Sequence, residues 1–400
     1  MYEKLKRYWL PWTSPTPVDK LLIQKHPIRI LYTIPNFISA GSGRVLANIA
    51  ERLDRSKFHP TVCVARKGGN IESELDSLGI RVIELPFTVE AKPYMGLHQR
   101  ARRAAGSFKP YQFDLWHSFH YGDDYTEPII ARLAGAKAWV YTKKNMMWGG
   151  RAWIVRSILA SRIIADNHDM PGMFFSRFGL HNKVRVIPHS VDIEHFKPIE
   201  VNKKKFHQDH NLPGGAVLVG LAAHLLPIKG HDLLVDAAAQ IPDLHLFFAG
   251  RADDERYKAE LDDQIDKLGL QDRVHFIGFV SDMPEFLAHM DVIALPTRKR
   301  GEGCPVALLE AMACGKACIA TDVPGSRDLI EDGVSGVLVS AEDSSALVSA
   351  IQYLRDHHDL RSKMGRNARL RIEEAYTIDR EVSAHERLYS SLLGAEYSQR

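Results

Sequence analysis

Two successive α/β domains, each an open parallel sheet with helices on both faces, are what the sequence predicts. Three observations carry this expectation. From residue 28 onward, short apolar runs of strand length alternate with helical stretches, a pattern that builds parallel sheets. The 400 residues exceed one ordinary core and suit two domains. Around residues 198–211 the composition turns polar, with Lys203, Lys204, Lys205 and His207 together, and a second strand-helix series then begins. The chain is therefore divided into an N-terminal arm (1–27), a first domain (28–200), a second domain (201–376) and a closing helix (377–400).

Residues 1–12, MYEKLKRYWLPW, interleave Lys4, Lys6 and Arg7 with Tyr2, Leu5, Tyr8, Trp9, Leu10 and Trp12. Such a mixture suits either an interfacial segment on anionic lipid or an arm packed on its own protein. The first strand is 28–34 (IRILYTI), followed by a loop over 35–43 and a helix over 44–53. Gly41 and Gly43 in that loop invite a dinucleotide reading, but Leu46 stands where a third glycine would be, and what is left is a loop whose backbone approaches a ligand closely.

Strands at 61–65, 81–84 and 115–117 and helices at 71–78 and 97–108 continue the alternation. The last helix carries His98, Arg100, Arg102 and Arg103, with Lys109 after it, either a solvated face or a patch for anionic lipid or a phosphate-bearing acceptor. His117 and His120 lie in WHSFHYGDDYTEP at a strand end, where ligands gather in open parallel sheets. Further strands are expected at 139–142 and 163–165, and 184–196 reads as a last strand with its exit turn.

The second half restarts with VLVGLA at 217–222 and passes through HLLPIKGH into a helix at 232–240 and a strand at 244–249. Lys229, beside Gly230, sits between strand end and helix start, where an ammonium can hold a diphosphate. Arg251 occupies the next strand end. Strands at 274–277, 292–295 and 317–320 follow, and the amphipathic stretch 378–393 is a helix expected to pack on the core, across both domains.

The second half is organised around residues 301–325, GEGCPVALLEAMACGKACIATDVPG. Glu302 lies in a Gly-flanked loop, Pro305 suits the first turn of an apolar helix, and Gly315 stops it. Loop amides and the positive helix end attract phosphate oxygens. Glu310, two turns in, is out of reach of phosphate but can accept from the vicinal hydroxyls of a ribose. A nucleoside diphosphate lying across this element satisfies both.

Composition bounds the partners. A charged share of 25% and an apolar share of 45% are those of a soluble globular protein, and a net charge of +3 leaves no nucleic-acid footprint. Cys63, Cys304, Cys314 and Cys318 lack zinc-ribbon spacing, and no secretory leader is read, so reduced thiols in the cytoplasm are expected and no metal site. No apolar run reaches the roughly 18 residues a membrane-spanning helix needs.

Beyond residue 27 the chain resembles family 4 of the glycosyltransferases. The anchors are EGCPVALLEAMACGKACIATDVPG, the stretch IPHSVDIEHF at 187–196, PIKGH around Lys229, FIGFVSDMPEFLAHMDVIALPT at 276–297, and the loop 41–45. The resemblance implies the GT-B architecture, two Rossmann-like domains with sheets facing across a cleft, and retaining transfer of a sugar from a nucleotide-diphosphate sugar, UDP- or GDP-linked, with no cofactor. Glu302 would contact the donor sugar, Gly303, Cys304 and Pro305 would present backbone to sugar or phosphate, and Glu310 would bind the ribose. Lys229 would hold the diphosphate, the Gly41 to Gly43 loop would close over it, and Phe279 and Val280 would receive the base. The acceptor would be a sugar or a lipid-linked molecule in cell-envelope polysaccharide or glycolipid assembly, used in the cytoplasm or on the inner face of the membrane.

The sequence departs from the family pattern in three places. His224 stands where members carry an arginine, with Arg251 or the basic run 298–300 as candidate compensation. His189-Ser190 replaces Asn-Gly, and Phe119 occupies the position of the first domain's catalytic-side histidine, leaving His120, then His117, for that role. Competing expectations are a nucleotide-sugar epimerase or hydrolase of the same fold and a binding subunit that has lost catalysis.

Overall fold

The computed structural model describes residues 26–37, 40–147, 150–299 and 302–394. The expectations placed on the arm through residue 25, on Arg300 and on Gly301 lie outside these residues. The chain forms two units: one runs to His189 and takes up the C-terminal segment from Ile378, and the other is Ser190–Thr377.

The first unit is built from β1 (Ile28–Ile34), α1 (Ala40–Arg52), β2 (Phe58–Val64), α2 (Asn70–Ser77), β3 (Arg81–Glu84), α3 (Leu97–Phe108), β4 (Leu115–Ser118), α4 (Thr126–Ala134), β5 (Ala138–Lys143), α5 (Arg151–Leu159), β6 (Arg162–Ala165) and β7 (Val184–Val186). Its seven strands are ordered β3-β2-β1-β4-β5-β6-β7, and neighbours pair in parallel. Helices cover both faces, so β1, β4 and β5 are buried along almost their whole length, without the in-and-out alternation of a half-exposed strand. Trp116, Trp139, Leu31 and Phe108 are buried in its core.

Helix α1 begins at Ala40, ahead of the expected start at 44, so Gly41 and Gly43 belong to its first turn and not to a loop. Packing accounts for Gly43: a Cβ there would lie 2.9 Å from Cδ1 of the buried Phe37. Gly41 faces open space.

The second unit contains α6 (Lys203–Asp209), β8 (Val217–Ala222), α7 (His231–Gln240), β9 (Leu244–Ala249), α8 (Glu255–Leu268), β10 (Val274–Gly278), α9 (Met283–His289), β11 (Val292–Leu295), α10 (Val306–Ala313), β12 (Ala317–Thr321), α11 (Pro324–Leu329), β13 (Val337–Val339), α12 (Ser344–Asp356) and α13 (His358–Ala375). The order is β10-β9-β8-β11-β12-β13, again all parallel. Both sheets reverse their strand order once, at β1/β4 and at β8/β11, and ligands of open α/β sheets lie beyond the carboxyl ends of strands at such a point.

The closing helix α14 (Ile378–Leu393) returns to the first unit. Leu388 packs with Val140, Ile164 and Ile187, and the Tyr389 hydroxyl meets that of Tyr32 at 3.2 Å. The expected boundaries at 200/201 and 376/377 thus give way to 189/190 and 377/378. The polar stretch that suggested the first boundary includes α6, which folds with the second unit. Among the described residues no helix is long and apolar enough to cross a membrane.

Candidate functional site

At the reversal of the second sheet, β8 runs into a short turn at Pro227–Lys229, and Gly230, at φ 73°, redirects the chain into α7. A Cβ on Gly230 would lie 2.3 Å from the carbonyl oxygen of Pro296, so glycine is needed for the turn to press on the segment after β11. The Arg298 amide fixes the approach by donating to the carbonyl of Ile228 at 2.9 Å. The turn thereby presents Lys229 beside the β11–α10 loop.

There Lys229 Nζ donates to Glu302 Oε1, forming an ion pair whose carboxylate is almost buried while the lysine side chain keeps 23% of its exposure. The fully buried Thr297 donates to the same oxygen at 3.1 Å. Its own carbonyl accepts from the Thr321 hydroxyl at 2.6 Å. Two threonines, at the ends of β11 and β12, thus fix the Glu302 carboxylate. Neither was singled out from the sequence, where the only available signal was a threonine closing each strand.

Residues 303–305 lead from Glu302 into α10. Gly325 lets them sit low, since a Cβ there would fall 2.4 Å from the Gly303 carbonyl oxygen. Pro305 caps the helix, and its carbonyl accepts from Leu308 and Leu309. Helix geometry leaves the Val306 and Ala307 amides without an intrahelical acceptor, at the positive end of the helix. Cys304 is half-buried. Glu310 is half-buried as well, and its carboxyl has no hydrogen-bond or ion-pair partner among the described residues; burial pushes its pKa up to about 8. A proton acceptor held back from water in this way has spare capacity for a hydroxyl-rich ligand.

The expected compensation for His224 looks different in three dimensions. Arg298 is paired with Asp232 and donates to the carbonyl of Pro227, whereas Lys299 pairs with Glu342 at 3.5 Å and keeps most of its side chain exposed. His224 Nδ1 lies 3.0 Å from Asp253 Oδ2, and Arg251 Nε lies 3.6 Å from the other oxygen of the same carboxylate. Gly250 brings these strand ends together, because a Cβ there would collide with the Ala223 carbonyl oxygen at 1.9 Å. Phe279 follows Gly278 at the end of β10 with 75% of its surface exposed, and Val280 beside it is half-buried.

At the reversal of the first sheet the polar groups face inward. Thr33, Trp116 Nε1 and Ser118 all donate to Glu127, which also meets Arg156 Nη2 at 3.3 Å; both charged side chains are fully buried. Burial raises the Glu127 pKa, but His120, the Arg156 guanidinium and the Thr33 hydroxyl outweigh it and hold the carboxyl below its usual range. Arg156 also donates to the carbonyls of Asp124 and His120 and lies over the rings of Trp139 and Tyr141.

His117 is corrected by this structure. It lies within β4, fully buried, with Nδ1 2.7 Å from the Tyr389 hydroxyl and Nε2 2.8 Å from that of Thr142, so both ring nitrogens are satisfied and no lone pair is left for a substrate. Burial depresses its pKa well below the ordinary histidine value. His120 remains partly accessible, 3.8 Å from Glu127, and its buried Nδ1 lacks a hydrogen bond. His189 is held by Asp166 at 3.1 Å and Glu381 at 3.4 Å; burial opposes its charge, but the two carboxylates prevail and raise its pKa to about 10.

Both units are similar to known proteins. Residues 202–371 match the family described as glycosyl transferases group 1, and residues 39–195 match glycosyltransferase family 4. A lipopolysaccharide core biosynthesis mannosyltransferase of Rhizobium leguminosarum is 32% identical over 249 residues, 60% of this chain and 67% of that protein. One of Rhizobium meliloti is 30% identical over 216 residues, 52% of this chain, and the match spans only 61% of that relative's own length. An Escherichia coli UDP-Gal:alpha-D-GlcNAc-diphosphoundecaprenol alpha-1,3-galactosyltransferase is 25% identical over 71% of this chain and 77% of its own. In fold the chain is similar to Anabaena HepE crystallised with UDP, at TM-score 0.78 and 23% identity over 91% of this chain and 100% of that one. A glycosyltransferase structure from Rickettsia africae gives 0.81 at 20% identity, over 92% and 99%.

Proposed function

The chain belongs to glycosyltransferase family 4, and from that premise we propose that it transfers a sugar from a nucleotide-diphosphate sugar to a hydroxyl acceptor with retention of anomeric configuration. The observation that carries the proposal is the Lys229–Glu302 pair at the β8/β11 reversal, beside the positive end of α10. Cleaving a glycosyl phosphate leaves negative charge on the diphosphate. Lys229 and the Val306 and Ala307 amides supply fixed positive charge there, and binding the diphosphate frees Glu302 to orient the donor sugar. That charge serves where a metal would otherwise be recruited, so transfer is expected to persist in EDTA.

Glu310, with its unpaired carboxyl, is assigned to the ribose hydroxyls, and Phe279 and Val280 to the base. UDP is the first nucleotide to test, since UDP occupies the similarly folded HepE, with GDP next. The relatives' names support a lipid-linked or lipopolysaccharide acceptor, and with it a position on the inner face of the cell membrane. In this reading the acceptor proton passes to the leaving diphosphate oxygen on the face of attack, and no second carboxylate acts as nucleophile. Of the two candidate histidines, His117 and His120, His120 is the one left with capacity for a ligand.

The test is a screen of UDP-, GDP- and ADP-sugars against the full chain, with and without saccharide or lipid-linked acceptors, reading product anomeric configuration by NMR. Glu302→Ala should keep its circular dichroism and lose transfer by on the order of 10²- to 10³-fold. Full activity in that variant sinks the assignment. Rapid donor turnover without acceptor indicates a hydrolase or epimerase, and tight nucleotide binding without turnover a binding subunit.

A further inference from the structure

The proposed donor site leaves unused a basic surface of the first unit. Residues 91–113 contain Lys92, Arg100, Arg102, Arg103 and Lys109 and no aspartate or glutamate. Helix α3 turns Ala101, Ala104, Ala105 and Phe108 inward, which leaves His98, Gln99, Arg102, Arg103 and Ser107 on its outer face. The side chains of Lys92, Arg102, Arg103 and Lys109 make no hydrogen bond or ion pair among the described residues, so no described carboxylate pairs with their charge.

Arg100 is spent differently. Its guanidinium donates to four carbonyls of the preceding loop, those of Glu90, Ala91, Pro93 and Met95, at 3.1, 3.5, 2.6 and 3.3 Å. Gly96, at φ 84°, then turns the chain into α3. This bracing holds Tyr94 and Met95 outward, 68% and 89% exposed. Two adjacent apolar side chains have been fixed in water at the head of a cationic helix, where a globular protein gains nothing from exposing them.

We propose that residues 90–96 and the outer face of α3 form a docking surface for an anionic phospholipid bilayer, with Tyr94 and Met95 entering the headgroup layer and Lys92, Arg102, Arg103 and Lys109 facing lipid phosphates. Charge complementarity selects the occupant: free cations surround an amphipathic tyrosine and an unbranched thioether of the kind that partition to the interface. A nucleic acid would be matched to the cations alone, and a protein partner would need a broader apolar area than two side chains. The surface deepens the lipid-linked acceptor reading and rests on it for its purpose. Binding is nevertheless measurable without donor or acceptor, so the two ideas can fail separately.

The experiment is co-sedimentation of the full chain with vesicles of phosphatidylglycerol and phosphatidylcholine, and with phosphatidylcholine alone. Binding to the anionic vesicles only is expected. Arg102→Glu with Arg103→Glu should weaken it by at least about tenfold, and so should Tyr94→Ser with Met95→Ser, with the nucleotide affinity of both variants unchanged. Lys92→Glu with Lys109→Glu, at exposed side chains without a hydrogen bond or ion pair among the described residues, repeats the charge test should the first pair fail to fold. Equal binding to both vesicle types, binding to neither, or retention in every variant overturns the proposal. So does loss of binding only on deleting residues 1–12, or charge-variant sensitivity confined to nucleic-acid binding.

Discussion

The two sheets reverse at equivalent points, β1/β4 and β8/β11, yet their charged groups are disposed in opposite ways. In the first unit Glu127 and Arg156 are fully buried and enclosed by Thr33, Trp116 and Ser118. In the second, Lys229 faces Glu302 with part of its surface open, and Glu310 has no partner among the described residues. A fully buried, mutually compensated charge pair rigidifies a sheet end, whereas a partly open pair is what a ligand can use. The same topology therefore yields a scaffold in one unit and a candidate donor site in the other.

The sharpest way to break this contrast is to unbalance the buried Glu127–Arg156 pair. Arg156→Met leaves Glu127 buried and uncompensated, at a cost of roughly 3 to 5 kcal/mol. Thermal unfolding should report it as a large fall in the melting temperature of the first unit, while nucleotide affinity of the second survives. A variant as stable as the parent would mean that the cluster is not what holds that sheet end.

His189→Gln tests a second buried clasp, with a sign set by its raised pKa. The folded value of about 10 lies above the ordinary value near 6.5 expected when unfolded, so the stabilisation is complete below pH ~6.5 and is lost as the pH rises through ~10. The parent should melt several degrees above the variant at pH 6, with the gap narrowing towards pH 10. A gap that grows with pH would contradict the Asp166–His189–Glu381 arrangement.

On the side of the donor site, Thr297→Val removes the hydroxyl that orients Glu302 and keeps the shape. We expect about a tenfold loss in kcat with KM little changed, and recovery in Thr297→Ser. An equal loss in valine and serine variants would point to packing. The smallest effect concerns Glu310. Because burial holds its pKa near 8 and diol hydroxyls donate to the charged form, nucleotide binding should release protons at pH 7 and tighten modestly as the pH rises towards 8, levelling off above it. Titration calorimetry in buffers of different ionisation enthalpy measures this, and Glu310→Gln should abolish it.

Much of the architecture was legible in sequence because apolar runs and turn residues act locally. The strands Ile28–Ile34, Val217–Ala222 and Leu244–Ala249 form where their periodicity put them. The start of α1 was misplaced because two glycines read as a loop, when one of them serves to accommodate Phe37. Glu302, Lys229 and residues 303–305 were legible because a loop, a helix start and a strand end each leave a mark in the sequence. Thr297 left only a threonine after a strand, and Glu127 and Arg156 left nothing, since a hydroxyl or a charge becomes informative only once its partner is known.

By itself, then, the sequence determined two parallel α/β sheets, the order of their elements, the family, and the loop where a lysine and a glutamate meet. The tertiary structure alone decided which polar residues are already satisfied. His117 and His120 are three residues apart and alike in sequence, but a tyrosine 272 residues away, Tyr389, completes the bonding of the first and not the second. Arg298 looked free to take the place of the missing arginine until Asp232, 66 residues distant, claimed it. Hydrogen-bonding capacity is spent on whichever groups folding brings near, and no local pattern records that. Glu302 is the exception on which both levels agree: its loop is written in the sequence, and Lys229, 73 residues away, meets it in the fold.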